Sequence, residues 1–322
     1  MRIILTGSIA YDYLMKFPGV FKDHVLPEQL ESISLSFLVN EMIKQEGGVA
    51  ANIAYTLGLL CEKPMLVGTA GKDFGEFRKT LEAVGVDTSK VKIIEDKFTA
   101  SFFVTTDREN GQIGTFYAGA MADASQISMN DLDLTQDDLV IVSPNAPDAM
   151  IQYPKECQTL GVPYIFDPCQ QIVSLDPDGL KEGVLGAKAL FINEYEFGLL
   201  QKHTKMTAEE ILAAVDFAVI TLGKKGSRVI ENGKIVGEIP VFPPKQIIDP
   251  TGVGDAYRAG FLKGYVNGFD LVLCAQMGAL SATYCLEEKG PQTQCYLMND
   301  FVTRFRTVFD DHGALDALLQ ES

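Results

Sequence analysis

The segment Asp249-Pro-Thr-Gly-Val-Gly-Asp255 (the Gly-rich segment) combines residue types that suit chemistry on phosphate. Gly252 and Gly254 allow backbone N–H groups to point together at the start of a following helix, where unpaired N–H groups and the helix dipole bind anions. A carboxylate just inside such a helix can accept the proton of an attacking hydroxyl. The segment therefore predicts phosphoryl transfer, with Asp255 as the base and the amides of Gly252, Val253 and Gly254 as an anion cradle. An ordinary Gly-rich loop before a helix is the alternative interpretation.

Short apolar runs that end in small or polar residues recur along the chain and predict the scaffold of this site. Near-continuous apolar strands are typical of a parallel sheet with helices on both faces. Ligands of such sheets gather at the carboxyl ends of the strands, so the polar residues after these runs form one candidate site. The runs are Ile3–Leu5, Met65–Val67, Leu139–Val142, Tyr164–Phe166, Ala189–Ile192 and Val219–Ile220.

Two segments depart from this pattern and predict a small second sheet, the lid. Residues Ser32–Phe37 alternate strictly between polar and apolar, as in a strand with one covered face. Phe98–Thr106 and Ile113–Tyr117 resemble the arms of a hairpin joined through Asp107–Gly111. We expect an α/β/α domain over residues 1–12, 46–96 and 121–322, and a β lid over residues 13–45 and 97–120.

Composition and charge exclude several classes of protein. The chain has 322 residues and a formal net charge of −16, which argues against nucleic acid and against an anionic membrane surface as partners. The three histidines lie far apart, so the sequence offers no zinc site. Six scattered cysteines without a Cys-x-x-Cys pair, and the lack of a secretory signal, favour reduced thiols in a cytoplasmic protein.

With these features in place, the chain resembles the ribokinase-like (PfkB) carbohydrate and nucleoside kinases. Four motifs carry the resemblance, in the family's order and over nearly the whole chain. They are Gly47-Gly48-Val-Ala-Ala-Asn52, Asn193-Glu-Tyr-Glu196, Thr221-Leu-Gly-Lys-Lys-Gly226, and the Gly-rich segment followed by Ala259-Gly260-Phe261. Further stretches, among them Thr6–Asp12 and Asp167–Gln171, look like the bacterial adenosine kinases. The resemblance implies a three-layer α/β/α domain with a mostly parallel sheet and a lid.

The resemblance also implies which residues bind the nucleoside. Asp12 and Asn52, with Gly48, would hold the ribose hydroxyls, and Phe102 and Phe116 would sandwich the adenine. Further contacts would come from Ser8, Gly47, Gln170, Gln171 and, from the lid of a second subunit in a homodimer, Phe37. From the residues alone, Asp12 is either a ligand of vicinal hydroxyls or a loop cap. The two phenylalanines are either a stacking surface or the core of the small sheet.

For the phosphate donor, the resemblance implies a separate set of contacts. ATP would lie against Asn193, Thr221, Gly223, Gly226 and Thr251. Magnesium keeps several waters and takes few protein ligands, so Asn193 and Glu196 are expected to hold Mg²⁺ through water. A monovalent cation such as K⁺ is left open.

The expected reaction is transfer of the γ-phosphoryl of ATP to the ribose 5′-hydroxyl of adenosine, giving AMP in purine salvage. The alternatives are a family member acting on ribose or fructose, a nucleoside kinase of broad specificity, and a nucleoside-binding sensor descended from a kinase. The lid phenylalanines argue against a bare sugar, which has no flat ring to sandwich, but they do not separate adenosine from inosine or guanosine. Intact Asp255, Gly252 and Gly254 argue against the sensor.

Overall fold

The computed structural model describes residues 1–25, 31 and 34–320. In this part of the chain, most of the predicted apolar runs form strands that alternate with helices. The strands are β1 (Ile3–Thr6), β2 (Ala10–Lys16), β3 (Glu41–Gly47), β4 (Met65–Gly71), β5 (Val91–Ile94), β6 (Ala100–Thr106), β7 (Gln112–Tyr117), β8 (Leu139–Val142), β9 (Tyr164–Phe166), β10 (Ala189–Asn193), β11 (Phe217–Thr221), β12 (Ser227–Glu231) and β13 (Lys234–Ile239). The helices are α1 (Val49–Leu59), α2 (Gly75–Ala83), α3 (Pro147–Leu160), α4 (Pro177–Leu185), α5 (Glu194–Thr204), α6 (Ala208–Ala213), α7 (Val253–Val266), α8 (Leu271–Leu286) and α9 (Met298–Phe305).

Nine strands form the large sheet, in the order β13-β12-β11-β10-β9-β8-β1-β4-β5. From β11 to β5 the neighbours are parallel, whereas β12 and β13 are added antiparallel at one edge. The parallel strands therefore end at the same edge of the sheet, which is where the polar residues of the candidate site follow them.

Alternate residues of the central strands face opposite layers, as the near-continuous apolar pattern requires. On β1, Ile3 and Leu5 pack into the cluster that contains α1, α2, α7, α8 and α9, whereas Ile4 packs into the cluster that contains α3 to α6. All three side chains are buried. The three-layer α/β/α domain expected from the sequence is thus confirmed.

A four-stranded sheet, in the order β3-β2-β6-β7, forms the lid. Strand β2 pairs antiparallel with β3 and parallel with β6, and β6 and β7 form the predicted hairpin. The carboxylate of Asp107 holds its turn, because it accepts the backbone N–H groups of Glu109 (2.9 Å) and Gly111 (2.7 Å). The first pair of lid strands runs from Ala10, where β2 begins, to Gly47, where β3 ends. Asp12 therefore lies inside β2 and not in the loop after β1.

The strand expected over Ser32–Phe37 is wrong in the part that the structure describes. Residues 34–39 have no regular secondary structure, and Ser32 and Ile33 lie outside the described residues. The partner of β2 is β3, which pairs with it along its whole length. Phe37 packs instead on Phe17 (5.0 Å between ring centroids) and Phe21 (4.9 Å) of the same chain. Of the apolar residues in the described part of this segment, Phe37 packs on its neighbours, whereas Leu35 is exposed.

The cysteines are free, and the helices of the described residues are short. All six cysteines lie among the described residues and none forms a disulfide. Four of them are buried, while Cys61 and Cys295 are exposed. In residues 1–25, 31 and 34–320, none of the helices is both long enough and apolar enough to span a bilayer.

Candidate active site

The Gly-rich segment turns into α7 through a residue in the left-handed region. Gly252 caps the helix with a φ of 75°, and a Cβ at this position would lie 2.3 Å from Cβ of Pro291. Asp249 holds the turn because one carboxylate oxygen accepts the N–H of Thr251 (2.9 Å) and the other that of Gly290 (3.1 Å). Only glycine fits this conformation and this approach. The first N–H groups of α7 are left without helical acceptors, as an anion cradle requires.

Asp255 lies in the first turn of α7 and is held from the opposite helix. Asn52 of α1 donates its side-chain N–H to Asp255 Oδ2 at 2.8 Å. Burial raises the pKa of Asp255 to about 6, against the opposing effects of Arg258 and of the Asn52 hydrogen bond. The carboxylate is therefore ionised at neutral pH yet basic enough to take a proton from a hydroxyl.

A buried ion pair lies one helical turn beyond Asp255. The guanidinium of Arg258 donates to Asp167 Oδ1 at 2.7 Å and lies 3.1 Å from the thiol sulfur of Cys169. Asp167, at the end of β9, is fully buried, and Arg258 is 9% exposed. The pair joins the sheet edge to α7, and it places one positive and one negative charge near Asp255.

The lid presents Asp12 and the two predicted aromatic residues on one face. In the strand register Asp12 lies opposite Phe102, and Phe102 lies opposite Phe116. Phe102 and Phe116 are 36% and 52% exposed, so they are an open aromatic surface and not the core of the lid. Burial, with a smaller contribution from Asp249, raises the pKa of Asp12 to about 6. Leu14 and Val104 of this face line the same cavity as Asp249 and Thr251, so the lid face lies toward the Gly-rich segment.

The junction between the lid and α1 brings the backbone close to this face. Gly48 has a φ of 95°, and a Cβ there would lie 2.5 Å from the carbonyl oxygen of Ser8. A Cβ on Gly47 would lie 2.9 Å from Asp12 Oδ2. The Ser8 hydroxyl accepts the N–H of Val49 at 2.9 Å, which satisfies the first turn of α1. The structure thus brings together Ser8, Asp12, Gly47, Gly48, Asn52 and Asp255.

The residues expected to bind ATP follow two adjacent strands. Asn193 and Thr221 are register partners at the ends of β10 and β11. The loop after β11 turns at Gly223 (φ 58°) and Gly226 (φ 93°), and a Cβ on Gly226 would lie 1.9 Å from the carbonyl oxygen of Ile239. A buried 2.7 Å hydrogen bond between the hydroxyls of Ser227 and Tyr257 ties this loop to α7. This hydrogen bond therefore joins the start of β12, directly after the loop, to the helix that carries Asp255.

Asn193 and Glu196 engage each other at the start of α5. Asn193 Oδ1 accepts the N–H of Glu196 at 2.8 Å, and Glu196 Oε2 accepts the N–H of Asn193 at 3.0 Å. Burial raises the pKa of Glu196, and its charge is coupled to those of Arg258 and Asp167. In residues 1–25, 31 and 34–320, no group of three or more His, Cys, Asp or Glu side chains could hold a metal ion. These two residues would fit a metal held through water and do not form a cage of protein ligands.

Three of the sequence-predicted residues lie at the margin. Gln170 and Gln171 sit on a 3-10 helix, Cys169–Val173, where Gln170 is exposed and Gln171 half-buried. The same helix begins with Cys169, which contacts Arg258, so the glutamines flank the site. Phe37 packs on Phe17 and Phe21 of its own chain.

Sequence reasoning missed three residues that support Asp255. Arg258 is three positions after Asp255, and helical spacing could have revealed it as a neighbour. Asp167 appears in a quoted motif but was assigned no role. Gln292 donates to Asn52 Oδ1 at 2.8 Å across 240 positions of the chain, a contact for which the sequence carries no local signal.

Comparison with known proteins agrees with this geometry. A nucleoside kinase of Methanocaldococcus jannaschii is 30% identical over 305 residues, which cover 94% of this chain and 96% of that protein. The structure of a Burkholderia thailandensis nucleoside kinase in complex with inosine superposes with a TM-score of 0.84 at 33% identity, covering 96% of this chain and 98% of the other. Ribokinase from Thermotoga maritima, at 19% identity and a TM-score of 0.77, shares the fold.

The family itself is settled by a match over most of the sequence. The model of the pfkB family of carbohydrate kinases matches residues 23–297, a span that contains Asn52, the Asn193–Glu196 motif and the whole Gly-rich segment. Since this span is well over half of the chain, and a relative at 30% identity covers nearly all of it, the protein belongs to the pfkB family of carbohydrate kinases and is a phosphotransferase of that family.

Proposed function

We propose that the protein is a nucleoside kinase that transfers the γ-phosphoryl group of ATP to the ribose 5′-hydroxyl of a nucleoside. One observation carries the proposal. Asp12, Phe102 and Phe116 lie in register on the lid face, so a group that accepts hydroxyl protons stands beside two aromatic rings. A sugar with a flat base attached fits both parts of that face, whereas a free sugar leaves the rings unused.

In the proposed reaction each part of the site has one task. Asp12, with Asn52, holds the ribose hydroxyls, so that the 5′-hydroxyl points at the start of α7. Asp255 accepts the proton of that hydroxyl as its oxygen attacks the γ-phosphorus, and the bond to the β-phosphate oxygen breaks to release ADP. The amides of Gly252, Val253 and Gly254 donate to the oxygens of the transferred group.

The donor is proposed to lie between the two strand ends and the anion cradle. Thr221, Gly223 and Gly226 would surround its phosphates, and Thr251 would approach the transferred group. Asn193 and Glu196 would hold a hydrated Mg²⁺, which supplies charge neutralisation on the phosphates when bound. Whether a monovalent cation such as K⁺ also acts is a question for the same assays, run with and without added potassium.

Broad specificity for the base is favoured over adenosine alone. The lid offers stacking, which every base accepts, and the nearby amides Gln170 and Gln171 can each donate and accept hydrogen bonds. The similar proteins are described as nucleoside kinases, one with inosine bound, and a further relative as a cytidine kinase. Adenosine therefore remains one expected substrate among several.

A coupled ADP-release assay tests this proposal. Adenosine, inosine, guanosine, cytidine, ribose and fructose would each be offered with Mg²⁺ and ATP, and the product would be compared with authentic nucleoside 5′-monophosphates by chromatography. We expect turnover of several nucleosides and little or none of the free sugars. Turnover of ribose or fructose in preference to every nucleoside would refute the proposal.

A matched pair of variants tests the role of Asp255. Asp255→Asn should still bind nucleoside but lose turnover by at least about a hundredfold, since positioned bases contribute about 10²–10⁴. Asp270→Asn is the control, because Asp270 also begins a helix as the cap of α8 but lies beyond the opposite end of α7. Equal activity in the two variants would remove Asp255 from its role.

We further propose that the other face of the lid forms a homodimer interface. Phe103, Met42, Ile113 and Tyr117 share that face and are 38%, 63%, 46% and 43% exposed. Large exposed apolar side chains grouped on one sheet face favour a partner surface. Light scattering at micromolar concentration should give twice the mass of the chain, and Phe103→Lys should shift it to the monomer. A monomeric wild-type protein would overturn this proposal.

A further inference from the structure

The segment after α8 lies along α1 and contacts it through two glutamines. Gln292 donates its side-chain N–H to Asn52 Oδ1 at 2.8 Å, and Gln294 donates to Thr56 Oγ1 at 3.0 Å. Asn52 and Thr56 are four positions apart, on one face of α1. Gln292 and Gln294 are 8% and 1% exposed. The two contacts are alike in chemistry, yet only the first belongs to a chain that reaches Asp255.

That chain runs Gln292–Asn52–Asp255, and its hydrogen bonds have a defined direction. An ionised carboxylate only accepts hydrogen bonds, so Asn52 must turn its N–H₂ toward Asp255, where the distance is 2.8 Å. The Asn52 oxygen then faces Gln292, which meets it with an N–H. Rotating the Asn52 amide by half a turn would set oxygen against carboxylate and N–H₂ against N–H₂.

We propose that Gln292 is a positioning residue for phosphoryl transfer: it fixes the orientation of the Asn52 amide, so that the amide donates to Asp255. The proposal rests on the proposed function of Asp255 as the base. Without the Gln292 donor, only the Asp255 carboxylate would favour this orientation of the Asn52 amide, and that preference is lost whenever Asp255 is protonated. A substrate hydroxyl near Asn52 could then turn the amide and leave Asp255 without its donor.

The Gln292 amide differs from the Gln294 amide in its partner and not in its own state. The Oε1 atoms of both glutamines are buried and have no hydrogen-bond partner among the described residues. Loss of the Gln292 N–H₂ would also leave Asn52 Oδ1 without its donor, so a change of stability alone does not test the proposal. The N–H₂ of Gln292 is the part that finds a partner, and that partner is the residue that contacts the base.

Several other charged or titratable groups act on Asp255 and set the background for a test by pH. Arg258 of α7 lowers the pKa of Asp255, whereas Asp167 at the end of β9 and Asp12 on the lid raise it. The thiols Cys169 and Cys285 are close enough for Asp255 to affect their own pKa values. None of these groups is altered by a substitution at Gln292, so a shift with the uncharged variant Gln292→Met would report the chain through Asn52. Gln292→Glu also adds a negative charge near Asp255, which raises the Asp255 pKa by itself.

The experiment compares Gln292→Glu and Gln292→Met with the matched controls Gln294→Glu and Gln294→Met. For each protein, kcat/KM would be measured from pH 4.5 to 8 with inosine and ATP, together with inosine affinity and urea stability. A glutamate at position 292 would accept the Asn52 N–H₂ and turn the Asn52 oxygen toward Asp255, which favours the protonated acid. We expect the acid limb of the kcat/KM profile of Gln292→Glu to move to higher pH by about one unit, which is a loss of activity of about tenfold at pH 5.

Gln292→Met should move the acid limb in the same direction by less, and the two Gln294 variants should leave it unchanged. The inference is overturned if the Gln292 variants titrate like the wild type, or if Gln294→Glu shifts the limb as far as Gln292→Glu. If Gln292→Glu does not fold, the inference is judged by Gln292→Met alone: an acid limb that moves to higher pH supports it, and one that stays or moves to lower pH overturns it. Asp255→Asn separates the proposed function from the role of Gln292. Turnover that survives this change refutes the role of Asp255 as the base. An inactive Asp255→Asn with unshifted Gln292 variants refutes only the role of Gln292.

Discussion

The buried pair Arg258–Asp167 allows a prediction in which two substitutions have opposite effects on Asp255. Arg258 lowers the pKa of Asp255 and Asp167 raises it. Arg258→Met should therefore raise that pKa above about 6 and move the acid limb of kcat/KM to higher pH, because Asp255 must be ionised to act as a base. Asp167→Asn should move the limb to lower pH.

The effect on stability should have the same sign in both variants. Asp167 is fully buried and Arg258 is 9% exposed, with 2.7 Å between donor and acceptor, so removing either charge leaves the other buried without its partner. Breaking such a pair costs about 3–5 kcal/mol of unfolding free energy. Arg258→Lys is the control, since it keeps the positive charge but loses the two-pronged geometry. It should lose stability while the acid limb stays close to that of the wild type.

The assay is ADP release from pH 4.5 to 8, with urea unfolding of the same preparations. Asp12 also has a pKa of about 6, so the acid limb is compared between variants and not assigned to one residue. Acid limbs that move in the same direction for Arg258→Met and Asp167→Asn, or that do not move at all, would refute the electrostatic account. A loss of unfolding free energy without a shift of the acid limb would mean that the pair stabilises the fold but does not set the pKa of Asp255.

Three further outcomes are expected. Phe102→Ala should raise KM for inosine by about 5- to 150-fold, equivalent to about 1–3 kcal/mol of stacking, and Phe103→Ala on the opposite lid face should not. Asp12→Asn should raise the free energy of unfolding at pH 7 by about 1–3 kcal/mol, because burial raises the Asp12 pKa from 3.8 to about 6 and so penalises the ionised carboxylate in the folded state. Between these pH values the folded wild type binds a proton that the unfolded chain does not. Urea titrations should therefore show that the gain vanishes below about pH 4, where both states are protonated. Gly226→Ala should unfold more easily in urea than Gly233→Ala, because its Cβ would meet Ile239 at 1.9 Å whereas nothing lies within 4 Å of the other.

Much of the fold could be predicted because its signals are local. A run such as Leu139–Val142 is apolar throughout because both faces of a parallel strand are covered, and this holds wherever the strand lies in the sheet. The turn into α7 needs glycine at position 252 for its φ of 75°, so the Gly-rich segment marks the helix start in any context. The hairpin over β6 and β7 was predictable for the same reason, since its turn is closed by a side chain within it.

The failure at Ser32–Phe37 shows the limit of such signals. Alternation gives a strand only where the segment pairs with a neighbouring strand, and residues 34–39 are not part of the four-stranded lid sheet. Which segments pair in the lid sheet depends on the rest of the lid. Likewise, the aromatic pair Phe102 and Phe116 could have been core or binding surface from the sequence, and their exposure excludes the core.

The sequence by itself determined the anion cradle, the carboxylate beside it and the apolar strands that carry them, because each depends on residues within a few positions. Only the tertiary structure decided what surrounds Asp255. Asn52 is 203 positions away from Asp255, and Gln292 is 240 positions away from Asn52, so these contacts exist only once α1, α7 and the segment after α8 have packed. Hydrogen bonds act over about 3 Å, and no local pattern encodes which distant amide will arrive there.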